Sequence, residues 1–364
     1  MDADQEVLIV TSNYPPEIGG PAKFSHEFGR WLSNKDVPCT ILTTCPTSKV
    51  WNEGKIKIYG IGRNIPILVR MLRTAMLMAR LGRSRKNLVC GLFYEALLAR
   101  ILFNFKFVAK VPSDIVWDRY RNQTGSTVDV DSYQGNERGV YAFQRFFFSK
   151  ALQVAKLVIV PSVHLSQLTL RWKIRESSVS LVRNSETISP IGKPLPNDFD
   201  AVVVGRLIPL KGVDEVVKVC GKLNLTLSVV GDGPQMSDLK RIAKQSGGKV
   251  KFFGSVDNEE VMYILKRSKL FIMNSKHEGS PNALIEAMSL GMPCLVRSNP
   301  GTIELINDLE NGVLVSDFRS LEEAIRMVFT DSKLRVQLGK NAQAFAAKEL
   351  SKDVNFERIH QIIQ

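Results

Sequence analysis

Glu278 and Glu286 stand eight residues apart in the run Glu278-Gly279-Ser280-Pro281-Asn282-Ala283-Leu284-Ile285-Glu286. An apolar strand ends near Asn274, Gly279, Ser280 and Pro281 form a loop, and a helix is predicted to start around Asn282. The first amides of such a helix lack internal partners and carry the positive end of its dipole, so they form a ready anion site. Glu278 precedes the helix at the ligand side. Glu286 lies one turn inside it, about 6 Å further along at ~1.5 Å per residue, where a carboxylate can accept hydrogen bonds from a ribose diol. Taken alone, the two glutamates are more plainly read as complementing the helix N-terminus.

Arg206 and Lys211 add the opposite charge. They lie in Gly205-Arg206-Leu207-Ile208-Pro209-Leu210-Lys211-Gly212, directly after an apolar strand at 201–204. A planar guanidinium and a point-charge ammonium on one strand-end loop suit a diphosphate, and flanking glycines let the backbone come close. A solvated basic turn is the plainer alternative. With Gly19-Gly20 in a separate glycine-rich turn, the set describes a nucleotide-diphosphate cleft closed from both sides.

These residues need elements to position them. Short β-branched runs at 6–12, 39–44, 87–90, 106–111 and 157–160 read as buried strands with helical stretches between, as at 22–32. A second strand–helix series runs through 201–204, 225–230, 250–254, 270–273 and 293–296. Alternation of this kind predicts an α/β chain of parallel sheets covered on both faces. The proline-bearing stretch 190–199 reads as a linker, so two Rossmann-like domains are expected, at 1–190 and 191–346. A last helix is expected over 331–364, its final part, about 347–364, packing back on the first domain. Ligands of open parallel sheets sit beyond the carboxyl ends of the strands. The polar stretch 114–139 reads as a long loop, and a loop of that length is usually functional or mobile. Within it, Asp129-Val130-Asp131 has a metal-binding form, with a solvated acidic loop as the alternative.

Composition narrows the partners. Apolar residues make up 44% and charged residues 23% of 364, which excludes a disordered, collagenous or coiled-coil chain. No apolar run is long enough for a transmembrane helix. Residues 1–6 are acidic, where a secretory signal would be basic and then apolar. Five scattered cysteines give neither a disulfide framework nor zinc spacing. A reduced cytoplasmic protein is therefore expected, in which the sequon at Asn122 goes unused. Residues 1–192 hold 26 Lys and Arg against 15 Asp and Glu (+11), and the remainder 23 against 21 (+2), which together make the net +13. Seven cations and no acid fall within Arg63 to Lys86, interleaved with apolar residues, and helical spacing puts Leu68, Leu72 and Met76 on one stripe flanked by Arg70, Arg73 and Arg80. This pattern suits a helix lying on an anionic membrane surface. The plainer alternative is a helix whose Met and Leu face the domain core. No motif supports nucleic-acid binding.

The C-terminal half resembles the retaining GT-B glycosyltransferases of family 4, which carry an E-x7-E motif. Glu278 and Glu286 match that motif, with Gly279, Ala287-Met288, Gly291 and Pro293 around it. Gly205-Arg206 with Lys211-Gly212 matches the family's diphosphate turn. Gly231-Asp232-Gly233-Pro234 and Phe253-Gly254-Ser255-Val256 match turns around the nucleobase. Gly301 and Glu304 match its later Gly-x-x-Glu, and 15–20, 158–162 and 182–184 fit the N-terminal domain more loosely.

The resemblance implies a GT-B fold, two facing Rossmann-like domains with a cleft between them. It implies sugar transfer from a nucleotide-diphosphate donor to a lipid-linked or saccharide acceptor, with no cofactor or metal. Arg206, Lys211 and the helix N-terminus at Ser280, Pro281, Asn282 and Ala283 would face the diphosphate. Glu278 would hold the sugar, Glu286 the ribose, and Gly20 would approach the diphosphate from the acceptor-side domain. Gly205, Gly231, Gly254, Val256 and Gly279 would complete the donor site. Two positions depart from the pattern. The family often has a His after an N-domain strand, where this chain reads Lys110-Val111-Pro112-Ser113-Asp114, so Asp114 is the candidate contact to sugar or acceptor, against a simple turn Asp. Ser185 follows Asn184 where the family usually has Gly. A nucleotide-sugar epimerase of the same fold and a non-catalytic partner remain alternatives. The partner form should have lost Glu278, Arg206 or Lys211, and all three are present.

Overall fold

The computed structural model describes residues 6–17, 19–126, 128–187 and 198–364. The chain divides into two compact units, Met1–Val182 with Phe356–Gln364, and Arg183–Asn355. The expected linker lies, up to residue 197, outside the described residues.

The N-terminal unit is built on strands β1 (Val7–Val10), β2 (Cys39–Cys45), β3 (Lys49–Glu53), β4 (Ile56–Gly62), β5 (Lys86–Val89), β6 (Val108–Lys110), β7 (Val158–Val160) and β8 (Val179–Leu181). Its helices are α1 (Gly20–Asn34), α2 (Ile67–Leu81), α3 (Phe93–Phe103), α4 (Ile115–Thr124), α5 (Val130–Tyr133), α6 (Val140–Gln153) and α7 (Val163–Arg171). The sheet order is β3-β4-β2-β1-β5-β6-β7-β8. All its pairings are parallel except β3 with β4. β1 shows why such a strand is apolar throughout. Leu8 and Val10 pack into one core, Val7 and Ile9 into another on the opposite face, because side chains alternate along a strand and both faces are covered.

The C-terminal unit repeats this logic with β9 (Phe199–Val204), β10 (Thr226–Val230), β11 (Lys249–Gly254), β12 (Ser268–Met273), β13 (Cys294–Arg297) and β14 (Val313–Val315). Helices α8 (Val213–Lys222), α9 (Met236–Gln245), α10 (Asn258–Lys266), α11 (Asn282–Ser289), α12 (Phe318–Thr330) and α13 (Ser332–Glu349) cover it. The order is β11-β10-β9-β12-β13-β14, all parallel.

Three expectations are corrected. The antiparallel hairpin β3–β4 is absent from the sequence reading, because β3 is an exposed edge strand of mixed polarity and shows little apolar signal. The stretch 114–139 is not one long loop: it holds α4, α5 and the approach to α6, with Asp114 and Asp129 as helix N-caps. The last helix is broken. α13 ends at Glu349 and α14 (Lys352–Ile363) follows. At the break, the Glu186 N–H donates to the Leu350 carbonyl at 3.0 Å and the Lys352 N–H donates to the Glu186 carbonyl at 3.1 Å. Glu186 also pairs with Lys352 through their side chains at 2.9 Å. Backbone groups freed by the break are thus satisfied locally.

α14 belongs to the N-terminal core. The Phe356 ring lies 5.8, 5.2 and 6.1 Å from those of Phe24, Phe28 and Trp31, edge to face with each. Phe356→Ala is expected to lower stability by about 3–5 kcal/mol, read as an earlier urea unfolding midpoint.

Candidate functional site

The C-terminal sheet reverses its build direction between β9 and β12: β10 and β11 are added on one side of β9, β13 and β14 on the other. Loops leaving neighbouring strands at such a point diverge and open a crevice at the carboxyl ends. Arg206 and Lys211 leave β9, and Glu278 to Pro281 leave β12.

Those two loops are pinned together. The Lys276 N–H donates to the Leu210 carbonyl at 2.8 Å. Asn274 Nδ2 donates to the Gly212 carbonyl at 3.0 Å and to Glu215 Oε2 at 2.8 Å. Gly212 has φ of +59°, and a Cβ there would stand 2.5 Å from the Asn274 carbonyl oxygen. Glycine alone fits both demands. The outcome is a contact across 67 residues of sequence, with Lys211 Nζ donating to Glu278 Oε1 at 2.5 Å. The two side chains are 23% and 11% exposed, sheltered yet reachable.

Glu278 is fixed from behind as well. A Cβ on Gly301 would lie 2.3 Å from the Glu278 carbonyl oxygen. Gly301 is itself placed by Asn299, whose Oδ1 accepts its N–H at 3.1 Å and whose Nδ2 donates to the Ser275 carbonyl at 2.9 Å. Arg297 reaches Glu215 at 3.3 Å, and Glu304 pairs with Arg183 at 3.8 Å. Asn274, Asn299, Glu215 and Arg297 are positioning residues that sequence reasoning passed over. Their only signal is a polar residue at a strand end or in a first helical turn, which many unimportant positions share.

Arg206 is exposed and pairs with no carboxylate among the described residues. α11 opens at Asn282 behind Pro281 with no side-chain cap, which leaves amides at its start for a ligand. Asn282 Oδ1 accepts from Asn184 Nδ2 at 3.0 Å. Gly279 and Ser280 are half-buried, and Glu286 is buried inside the helix. The turns after β9, β10 and β11 are laced by their backbones. Gly205 donates to Val230 at 2.9 Å, Gly231 to Gly254 at 2.7 Å and Leu207 to Asp232 at 2.9 Å. Val256 packs beside them against the core under α11.

Gly20 and Asp114 belong to the N-terminal unit. Gly20 is the first residue of α1, whose N-terminus also has no side-chain cap. Asp114 is placed differently from its expected role. Its Oδ1 accepts the Val116 and Trp117 N–H groups at 3.0 and 3.1 Å, capping α4. Its Oδ2 accepts from Gln134 Nε2 at 3.0 Å and from Arg145. The side chain is 1% exposed. Burial pushes the Arg145 guanidinium down, but Asp114 and Glu137 outweigh it and raise it above its ordinary value. The carboxylate is therefore committed to structure, and a buried ion pair replaces the expected sugar contact. Asp129 caps α5 through the Ser132 N–H at 2.8 Å, and Asp131 faces His164 at 2.9 Å and Arg171 at 3.0 Å. No group of His, Cys, Asp and Glu placed to hold a metal occurs among the described residues.

α2 turns Ala75 and Met78 inward, both fully buried. Leu68, Leu72 and Met76 face outward, 78%, 43% and 46% exposed. No helix of the described residues is long and apolar enough to cross a membrane.

Residues 184–345 match the family described as glycosyl transferases group 1. This segment is a group 1 glycosyltransferase domain. Over its whole length the chain is 24% identical to 99% of a GDP-mannose-dependent monoacylated alpha-(1-6)-phosphatidylinositol monomannoside mannosyltransferase from Corynebacterium glutamicum. Among solved structures, sucrose-phosphate synthase from Thermosynechococcus elongatus superposes with a TM-score of 0.80 at 18% identity, covering 98% of both chains. Anabaena HepE, solved with UDP and glucose, gives 0.77 at 16% identity, covering 99% of both. The chain has the GT-B fold of these glycosyltransferases and is a transferase enzyme.

Asp114→Ala is expected to cost about 1–3 kcal/mol, because it removes the cap of α4 and one of the two carboxylates that hold Arg145, with Glu137 still in place at 2.7 Å. A urea melt checks this. A substrate contact would instead leave stability intact and reduce only turnover.

Proposed function

We propose that the chain is a retaining, metal-independent glycosyltransferase of family 4. It moves a sugar from a nucleotide-diphosphate donor to a lipid-linked or saccharide acceptor, at the cytoplasmic face of a membrane. The observation that carries this reading is the 2.5 Å contact of Lys211 with Glu278 at the reversal point of the C-terminal sheet. It brings the cation assigned to the diphosphate beside the carboxylate assigned to the sugar. The bond that breaks in such a donor joins those two groups.

On this reading Arg206, Lys211 and the uncapped amides of α11 face the charge that develops on the departing diphosphate. Preorganised donors of this kind stabilise a transition state without reorganising. Glu278 holds sugar hydroxyls and steadies the oxocarbenium-like carbon. Glu286 accepts from the ribose, and the turns at Gly205, Gly231, Gly254 and Val256 flank the base. The acceptor hydroxyl attacks on the face the diphosphate leaves and gives it its proton, so configuration is kept. No glutamate is assigned as a covalent nucleophile.

The N-terminal unit supports an acceptor at a membrane. α2 exposes an apolar stripe with Arg73 and Arg80 along its edge, a pairing that favours an anionic interface. The Corynebacterium relative is named for a phosphatidylinositol mannoside, which supports a lipid acceptor.

Lys211→Ala is expected to weaken nucleotide-diphosphate binding about 10- to 100-fold, the equivalent of one charge-assisted hydrogen bond. Calorimetry with GDP and UDP checks this, and unchanged affinity removes Lys211 from the site. Turnover of the donor is expected to survive dialysis against EDTA unchanged, since the cations and amides supply the charge that a metal would.

A further inference from the structure

A cavity of about 840 Å³ lies at the opposite edge of the N-terminal sheet from the strand-end turns. Its wall is formed where β5, β6 and β7 begin: Lys86 opens β5, Lys106 precedes β6 and Lys156 precedes β7. Arg80, at the end of α2, and Arg83 and Arg85, in the turn after it, complete the ring. No carboxylate side chain lines it. Arg85 is matched by Glu6 at 2.7 Å, and Lys86 donates to a main-chain oxygen of Gln364 at 2.8 Å. Arg80, Arg83, Lys106 and Lys156 are exposed and pair with no carboxylate among the described residues.

The cavity is held open by the fold. Buried Asn87 donates through Nδ2 to the Gly82 carbonyl at 3.0 Å and to the Lys106 carbonyl at 2.9 Å. This ties the arginine-bearing turn to the lead-in of β6. Phe105 and Phe107 are buried beneath, stacked with centroids 5.8 Å apart. Four unmatched cations around one concavity repel one another and add nothing to folding, so the arrangement is explained by an anion that enters it.

The rim identifies the source of that anion. α3 ends on it with Ile101, Leu102 and Phe103, which are 69%, 51% and 44% exposed. α2, with its own outward Leu68, Leu72 and Met76, packs against α3. A soluble phosphate compound needs no apolar rim. A lipid presents both chemistries together, an anionic headgroup over acyl chains. We infer that this cavity binds the phosphate of an anionic phospholipid headgroup while the ends of α2 and α3 enter the interfacial layer. The inference rests on the membrane part of the proposed function and gives it a specific site, away from the turns that carry Gly20 and Asp114.

The test uses the full chain, sedimented with vesicles of phosphatidylcholine alone and of phosphatidylcholine mixed equally with phosphatidylglycerol. The wild-type protein is expected on the mixed vesicles only. A variant carrying Arg83→Gln, Lys106→Gln and Lys156→Gln should lose about 100-fold in partitioning, roughly fivefold per cation at such a surface. A control with Lys240→Gln, Lys244→Gln and Lys251→Gln has the same net charge and should bind as wild type. Both variants should show wild-type circular dichroism and the wild-type thermal shift with a nucleotide sugar, so loss of fold or of the donor site is seen separately. Equal loss in both variants reduces the effect to net charge and overturns the site. Undiminished binding of the cavity variant, alongside loss in a Leu68→Ser, Leu72→Ser variant, keeps the membrane reading and overturns the cavity. Failure of the wild-type protein to bind any vesicle overturns both. Calorimetric binding of glycerol 3-phosphate that needs Arg83, Lys106 and Lys156, without vesicle binding, assigns the cavity to a soluble phosphate and overturns the lipid.

Discussion

The chemistry of the C-terminal unit depends on one backbone contact, the docking of the turn at Gly212 against Asn274. Lys211 and Glu278 lie on loops that leave different strands, and a parallel sheet gives such loops no reason to meet. They meet because Gly212 has no side chain, because Asn274 bonds its carbonyl, and because the Lys276 amide is satisfied by Leu210. A Cβ at residue 212 would push the loops apart at the position where Lys211 and Glu278 meet. The ion pair follows from this contact. Partly sheltered pairs of this kind contribute little net stability, so its position is better explained by ligand chemistry than by folding.

The same physics explains why the site is polar at its floor. A strand end inside an α/β domain leaves amides and carbonyls that water cannot reach easily, and each must find a partner. Asn274 and Asn299 supply them at the ends of β12 and β13, and both are buried. Asn299 donates and accepts at once and so fixes two backbone segments, whereas Asn274 donates to the Gly212 carbonyl and to the Glu215 carboxylate. The loops that would face a ligand are thus rigid where they leave the sheet and open further out, where Arg206 and the start of α11 stand exposed.

Much of this was legible because it rests on short-range signals. Strands buried on both faces write themselves as continuous apolar runs, and the start of α11 is announced by Gly279, Ser280 and Pro281. What escaped was set by distant partners. Asp114 looks like any polar residue after a strand. Its commitment comes from Arg145, 31 residues on, and from the burial of both. The polar stretch after it folds because Asp114 and Asp129 cap helices and because Tyr120 stacks on Tyr133 at 4.4 Å, a contact no local window contains. The exposed strand β3 escaped because it alternates too weakly. The break before α14 escaped because Glu186, which satisfies it, lies 166 residues away from Lys352.

α2 carries the argument one step further. Its inward face is narrow and made of small or flexible side chains, Thr74, Ala75 and Met78. Its outward face is as apolar but larger, and water covers it. An ordinary surface helix pairs one apolar face with one polar face. α2 has one apolar face covered by its own domain and a second, edged by arginines, that the proposed function assigns to a membrane surface. Stability of the isolated unit cannot account for the second face, because exposing Leu68, Leu72 and Met76 to water favours nothing. On the proposed reading, an anionic membrane surface covers them while the enzyme works.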